Sequence, residues 1–155
     1  MKKLIFALLI LSGCSQKDHS KEAADQIAAA DQAMSDKASK EGFFKVLLEY
    51  ADTNVVKPED GAYPVIGKKD LQTAWSSKKD FTNLSWKPYR SEASAAGDLG
   101  YSIGNWTLTK PDTILYGNYV TIWKKQKDGS WKFVFDAGNG TPGAPKELQT
   151  ANPQP

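Results

Sequence analysis

"GNYVTIWKKQKDGSWKFVFDAGN", Gly117 to Asn139, decides the fold. Its two runs, Tyr119 to Trp123 and Trp131 to Phe135, are rich in the aromatic and β-branched residues that suit a pleated, half-buried surface. Between them stands Asp128-Gly129, a pair that accepts the positive φ angles of tight turns, so the runs read as an antiparallel hairpin. The pattern extends upstream. Strands are expected over Leu84–Ala95, Leu99–Thr109, Leu115–Lys127 and Trp131–Ala137, divided by Gly97-Asp98, by Lys110-Pro111-Asp112-Thr113 and by Asp128-Gly129.

Before Leu84 the period is helical. Ile27, Ala30, Met34 and Ala38 recur at the spacing of one helix face. Gly42 interrupts, and Phe43, Phe44, Leu47, Leu48 and Ala51 begin a second apolar face. Extended pieces follow around Asn54-Val55-Val56 and Pro64-Val65-Ile66, and Leu71, Ala74 and Trp75 mark a third, short helix. Helices first and a meander after them predict an α+β domain, with the helices on one face of a curved antiparallel sheet.

The N-terminal residues have the form of an export signal. Lys2 and Lys3 precede the apolar run Leu4 to Leu11, which is too short to span a bilayer. Leu11-Ser12-Gly13-Cys14 resembles the lipobox of bacterial lipoproteins, which implies cleavage after residue 13 and acylation of Cys14. Ser15, rather than Asp, follows the cysteine, so the resemblance points to the outer membrane, facing the periplasm, in a source with two membranes. Cleavage removes two of the 20 basic side chains and leaves 18 against 18 acids, so nothing marks a nucleic-acid footprint or a polybasic lipid-binding patch. The membrane contact expected is through acyl chains on Cys14.

Cys14 is the single cysteine and His19 the single histidine, and His19 lies in the polar stretch beside the anchor. A domain without His or Cys cannot run Ser-His-Asp or Cys-His catalysis or build the usual zinc sites. No metal or cofactor is expected, and any acid–base chemistry falls to Asp, Glu, Tyr or Lys. Gly138-Asn139-Gly140-Thr141-Pro142-Gly143 fits G-x-G-x-x-G, but no helix readily opens at Pro142-Gly143-Ala144-Pro145, so dinucleotide binding is rejected. The expected organisation is a signal peptide over 1–13, anchor and linker over 14–21, one domain over 22–140, and a proline-rich tail over 141–155.

Within 22–140 the order of elements and particular residues resemble the SnoaL-like and ketosteroid-isomerase-like branch of the nuclear transport factor 2 superfamily. The marks are Gly97-Asp98-Leu99-Gly100-Tyr101, Gly104, Tyr119 to Trp123, Asp128-Gly129-Ser130-Trp131 and Asp136-Ala137-Gly138-Asn139. Ala24-Asp25 to Ala38, Gly42-Phe43 and Pro64-Val65-Ile66-Gly67 agree with them. The resemblance implies a cone: a strongly bent sheet wrapped around helices, a cystatin-like fold with a pocket at its open end. No catalytic motif of the family is matched.

Asp136 leads the candidates for chemistry, as base or acid at the cone's opening, or else as an acceptor for a Gly138-Asn139-Gly140 turn. Asp31 flanks the Ile27–Met34 stripe and either points into the cone or lies on a solvated helix edge. Tyr101 shares a strand face with Leu99 and Ile103, as donor beside Asp136 or as a core residue. Trp106, Trp123 and Asn139 are candidate pocket lining, although tryptophans on strands also fill cores. Arg90, the single arginine, either clamps a carboxylate ligand or pairs with Glu92 or Asp98. These residues suggest a lipid-anchored module that binds a small apolar ligand or a protein partner; the resemblance implies that a partner, including a second copy in a homodimer, would use the outer face of the sheet. The alternative is a cofactor-free isomerase, cyclase or dehydratase with an Asp base and a Tyr donor.

Overall fold

The computed structural model describes residues 17–145; the expected signal peptide, Cys14 and most of the expected C-terminal tail lie outside them. Helix α1 (Ser20–Glu41) buries Ala23, Ile27, Asp31, Met34, Ser35 and Ala38, one continuous face with a carboxylate at its centre. Gly42 ends it, and α2 (Phe43–Tyr50) starts at once, its first turn capped from a distance by Asp80. That carboxylate accepts the Phe44 N–H at 2.9 Å and the Lys45 N–H at 3.1 Å, supplying acceptors to otherwise orphaned helix donors. Strands β1 (Ala51–Lys57) and β2 (Val65–Ile66) precede α3 (Lys68–Trp75), which buries Leu71 and Trp75.

The second half is the meander: β3 (Leu84–Ala93), β4 (Leu99–Lys110), β5 (Thr113–Lys125) and β6 (Trp131–Thr141). The sheet order is β2-β1-β6-β5-β4-β3. All neighbours are antiparallel except β1 and β6, so the sheet is mixed rather than wholly antiparallel. The β5–β6 turn forms where Asp128-Gly129 stands, with Gly129 at φ 85° and Asp128 accepting the Ser130 N–H. Residues Gly138 to Thr141, expected as a turn and tail, instead continue β6 along Tyr119 to Tyr116. The long β5 strand offers them a full ladder, which satisfies their backbone groups better than a solvated turn would.

Two bulges set which side chains face the helices. Pairing steps from Pro88↔Gly104 to Arg90↔Ile103, leaving Tyr89 extra in β3, and from Phe133↔Trp123 to Phe135↔Ile122, leaving Val134 extra in β6. An unpaired residue reverses the alternation beyond it. Thus Trp131 and Phe133 face inward, and past Val134 the inward set becomes Asp136, opposite the fully buried Thr121, then Gly138 and Gly140.

The core is anchored by Trp123, which has no exposure. Its ring meets Phe133 and Tyr50 edge-on, at centroid distances of 6.2 and 6.4 Å, and its Nε1 donates to Ser102 Oγ at 2.9 Å. Gly104 and Gly117 give neighbouring large side chains their space. A Cβ on Gly117 would stand 2.2 Å from the Trp106 ring, and one on Gly104 would stand 2.5 Å from the Tyr119 hydroxyl and 2.3 Å from the Lys87 carbonyl oxygen. Gly104→Ala is therefore expected to cost about 1–3 kcal/mol in urea unfolding, as overpacking does. Gly140→Ala, whose Cβ has its nearest neighbour at 3.9 Å, should be close to neutral; equal effects of the two would remove close packing as the reason for Gly104.

Candidate functional site

A cavity of about 320 Å³ opens between the helices and the sheet. Met34, Phe43 and Leu47 line it from the helices, Trp86, Trp106 and Tyr119 from the strands, and Phe81 and Leu84 from the approach to β3. Asp136 to Gly140 form a further wall, with Lys57 and Asp60 beside them. The aromatic walls follow from strand parity: Trp86, Trp106 and Tyr119 occupy inward positions of three adjacent strands, with Trp86 opposite Trp106 in register.

Behind that wall lies Asp31, a carboxylate with no exposure. Trp86 Nε1 donates to its Oδ1 at 2.7 Å and the Tyr119 hydroxyl to its Oδ2 at 2.8 Å. One helical turn on, Ser35 Oγ accepts the Trp86 backbone N–H at 2.9 Å, so α1 holds one tryptophan of β3 at two points. Burial pushes the Asp31 carboxyl above the ordinary aspartate range. Hydrogen bonds from Ser102, Tyr119 and Trp86 oppose the shift, and the nearby charge of Asp136 adds to it. The Tyr119 hydroxyl is driven strongly upward by its own burial and by the Asp31 charge, so it stays a donor at any physiological pH.

Asp136 also faces inward, but it is engaged. Lys57 Nζ lies 2.9 Å from its Oδ1 and donates to its backbone oxygen at 3.2 Å, while Thr121 Oγ1 donates to Oδ2 at 2.8 Å. The partners are thus an ammonium and a hydroxyl, not the N–H groups of a following turn. Lys57 and Asp136 side chains are only 14% and 16% exposed, so this pair sits in a largely desolvated wall of the cavity.

The candidates named from sequence separate into two groups. Asp136, Trp106 and Asn139 line the cavity, and Asp31 stands behind it. Tyr101 does not reach it. The face it shares with Leu99 and Ile103 is the outer one, because Ser102 and Gly104 take the inward positions of β4; Glu92 is its cross-strand neighbour, and interaction with that carboxylate pushes the Tyr101 hydroxyl's pKa up. Arg90 is on the same outer face, where its Nε donates to Glu92 at 2.9 Å, so it clamps nothing in the cavity. Trp123 is sealed in the core instead of lining the pocket. Cys14 falls outside the described residues. Sequence reasoning missed Tyr119 and Lys57. The available signal for Tyr119 was its alternation with Gly117, Thr121 and Trp123, but only the register with Gly104 reveals the gap that admits its ring.

The raised pKa of Asp31 gives a signed expectation. Folded Asp31 holds its proton more tightly than the unfolded chain does, so its contribution to stability is complete below the ordinary aspartate value of 3.8 and is lost as pH rises through the raised one. The stability gap between wild type and Asp31→Asn should therefore narrow between acid and neutral pH in denaturant titrations; parallel curves would contradict it. Asp31→Ala should cost about 1–3 kcal/mol for each buried donor left unpaired.

No protein-family model and no curated protein sequence matches the chain. Solved structures do. A nuclear-transport-factor-2-like protein of unknown function from Pseudomonas putida KT2440 superposes with a TM-score of 0.62 at 13% identity, covering 86% of this chain and 94% of that one. A ketosteroid isomerase-like protein from Erwinia carotovora atroseptica gives 0.59 at 14% identity, over 77% and 96% of the two chains. A nuclear-transport-factor-2-like protein with a cystatin-like fold from Novosphingobium aromaticivorans gives 0.59 at 12% identity, over 80% and 85%. At such identities the likeness is one of architecture, and the architecture is unambiguous: this chain has the nuclear-transport-factor-2-like, cystatin-like fold.

Proposed function

We propose that this chain is a lipid-anchored envelope protein whose domain binds a small, largely apolar ligand in the cavity beneath Trp86, Trp106 and Tyr119. The observation that carries the reading is how the polar atoms of that cavity are spent. Trp86 Nε1 and the Tyr119 hydroxyl both turn to Asp31, and Asp136 is taken up by Lys57 and Thr121. Asp60, an exposed residue, apart, the wall then offers mostly aromatic and aliphatic surface to whatever enters, which is how sites for apolar molecules are made. An acid–base enzyme needs a group free to reach its substrate. Asp31 has no exposure and Asp136 already has two partners, which weighs for binding over turnover. The anchor rests on Leu11-Ser12-Gly13-Cys14, and its attachment to the outer membrane on Ser15 at the following position.

A neutral, environment-sensitive naphthylamine dye tests the cavity. It should bind saturably and brighten. Gly140→Trp, which sets an indole at a lining position with backbone room for a side chain, should weaken it by about tenfold, or about 1.4 kcal/mol. Failure of any apolar dye to bind would end the ligand reading. For the anchor, mass spectrometry of the N-terminal peptide should find Cys14 acylated, and Cys14→Ala should release the chain from membranes; an unmodified cysteine on a membrane-free chain would refute it.

A further inference from the structure

The charges around the cavity are unequal in a way that selects among ligands. One ammonium, Lys57, and two carboxylates, Asp60 and Asp136, line it. Lys57 is spent on Asp136, through both the carboxylate at 2.9 Å and the backbone oxygen at 3.2 Å. Asp60, an exposed residue of the lining, makes no ion pair among the described residues, so the lining keeps one uncompensated negative charge, open to solvent. The rest of the wall adds to that bias. Phe43, Phe81, Trp86, Trp106 and Tyr119 contribute five aromatic rings, whose faces are electron-rich. The positive edges of two of them are withdrawn, because Trp86 Nε1 and the Tyr119 O–H both point to Asp31 behind the wall.

We infer that the cavity's ligand is an organic cation, its apolar body against Trp86, Trp106, Phe43 and Phe81 and its charged group toward Asp60. The inference rests on the ligand-binding reading and refines it. An anion such as a fatty acid would meet Asp60 and ring faces with no free cation to receive it. A primary ammonium would lose strong hydration on entry, whereas an alkylated, diffuse cation loses little and gains from ring faces. A quaternary or bulky tertiary ammonium is therefore the favoured chemistry.

The test uses the purified full-length chain and three matched probes: benzyltrimethylammonium, its uncharged carbon isostere neopentylbenzene, and phenylacetate. Affinities are read by displacement of the neutral dye. The cation is expected to bind about tenfold more tightly than the isostere, within the range that cation–π contacts span between exposed and desolvated sites. Asp60→Asn should narrow that ratio to about threefold. Equal affinity for cation and isostere would overturn the inference while leaving a site for apolar ligands. Tightest binding of phenylacetate would also overturn it, assigning the head group to Lys57. Failure of the dye itself to bind would remove both readings together, and a bound dye displaced by none of the three would overturn the inference alone.

Discussion

One buried carboxylate joins the two halves of this domain. Asp31 sits at the centre of the buried face of α1, where an apolar residue would meet the sheet at no electrostatic cost. In its place, a charged or proton-holding group is removed from water, and its burial is tolerable only because Trp86 and Tyr119 reach it from two different strands. Those bonds have geometric consequences. They fix how α1 lies against β3, with Ser35 adding a second tie, and they turn two ring systems so that their polar tips face the helix. The cavity is what remains on the other side of those rings.

Much of the architecture was legible. The Asp128-Gly129 turn, the alternation of Tyr119, Thr121 and Trp123, and the helical stripe from Ile27 to Ala38 each express a local rule that tertiary packing reinforces. The parallel pairing of β1 with β6 was not legible, because nothing in the short apolar piece around Val55 states which distant strand will accept it. The site was read less well, and for a definite reason. Strand parity tells which residues share a face, but not which face is inside. Tyr101, Leu99 and Ile103 do share one, yet Gly100, which makes room for Ile27 of the helix, and the buried Ser102 take the inward positions between them, so the aromatic residue goes outward.

Asp136 shows the opposite effect. Strict alternation from Phe133 and Phe135 would send it away from the core, and the extra residue at Val134 brings it back. No residue type announces a bulge of this kind. Asp31 likewise offered no sequence sign that two ring donors would enclose it, since they arrive from Trp86 and Tyr119, far away in the chain. What a single sequence hides is therefore register, and register here decides both polar sites.

The parallel contact between β1 and β6 has a consequence for how the molecule is assembled. Ala51 pairs with Phe133, so the strand that follows the first two helices must wait for the last strand before it has an inner neighbour. Closing so long a segment is entropically costly and is rewarded late, which places this topology among the slower-folding ones. The β3–β6 meander can zip from turn to turn, and α1 can dock on it through Asp31. The α2–β1 segment has its only long-range sheet partner in β6, so the Lys57 side of the cavity depends on the two ends of the chain order being brought together.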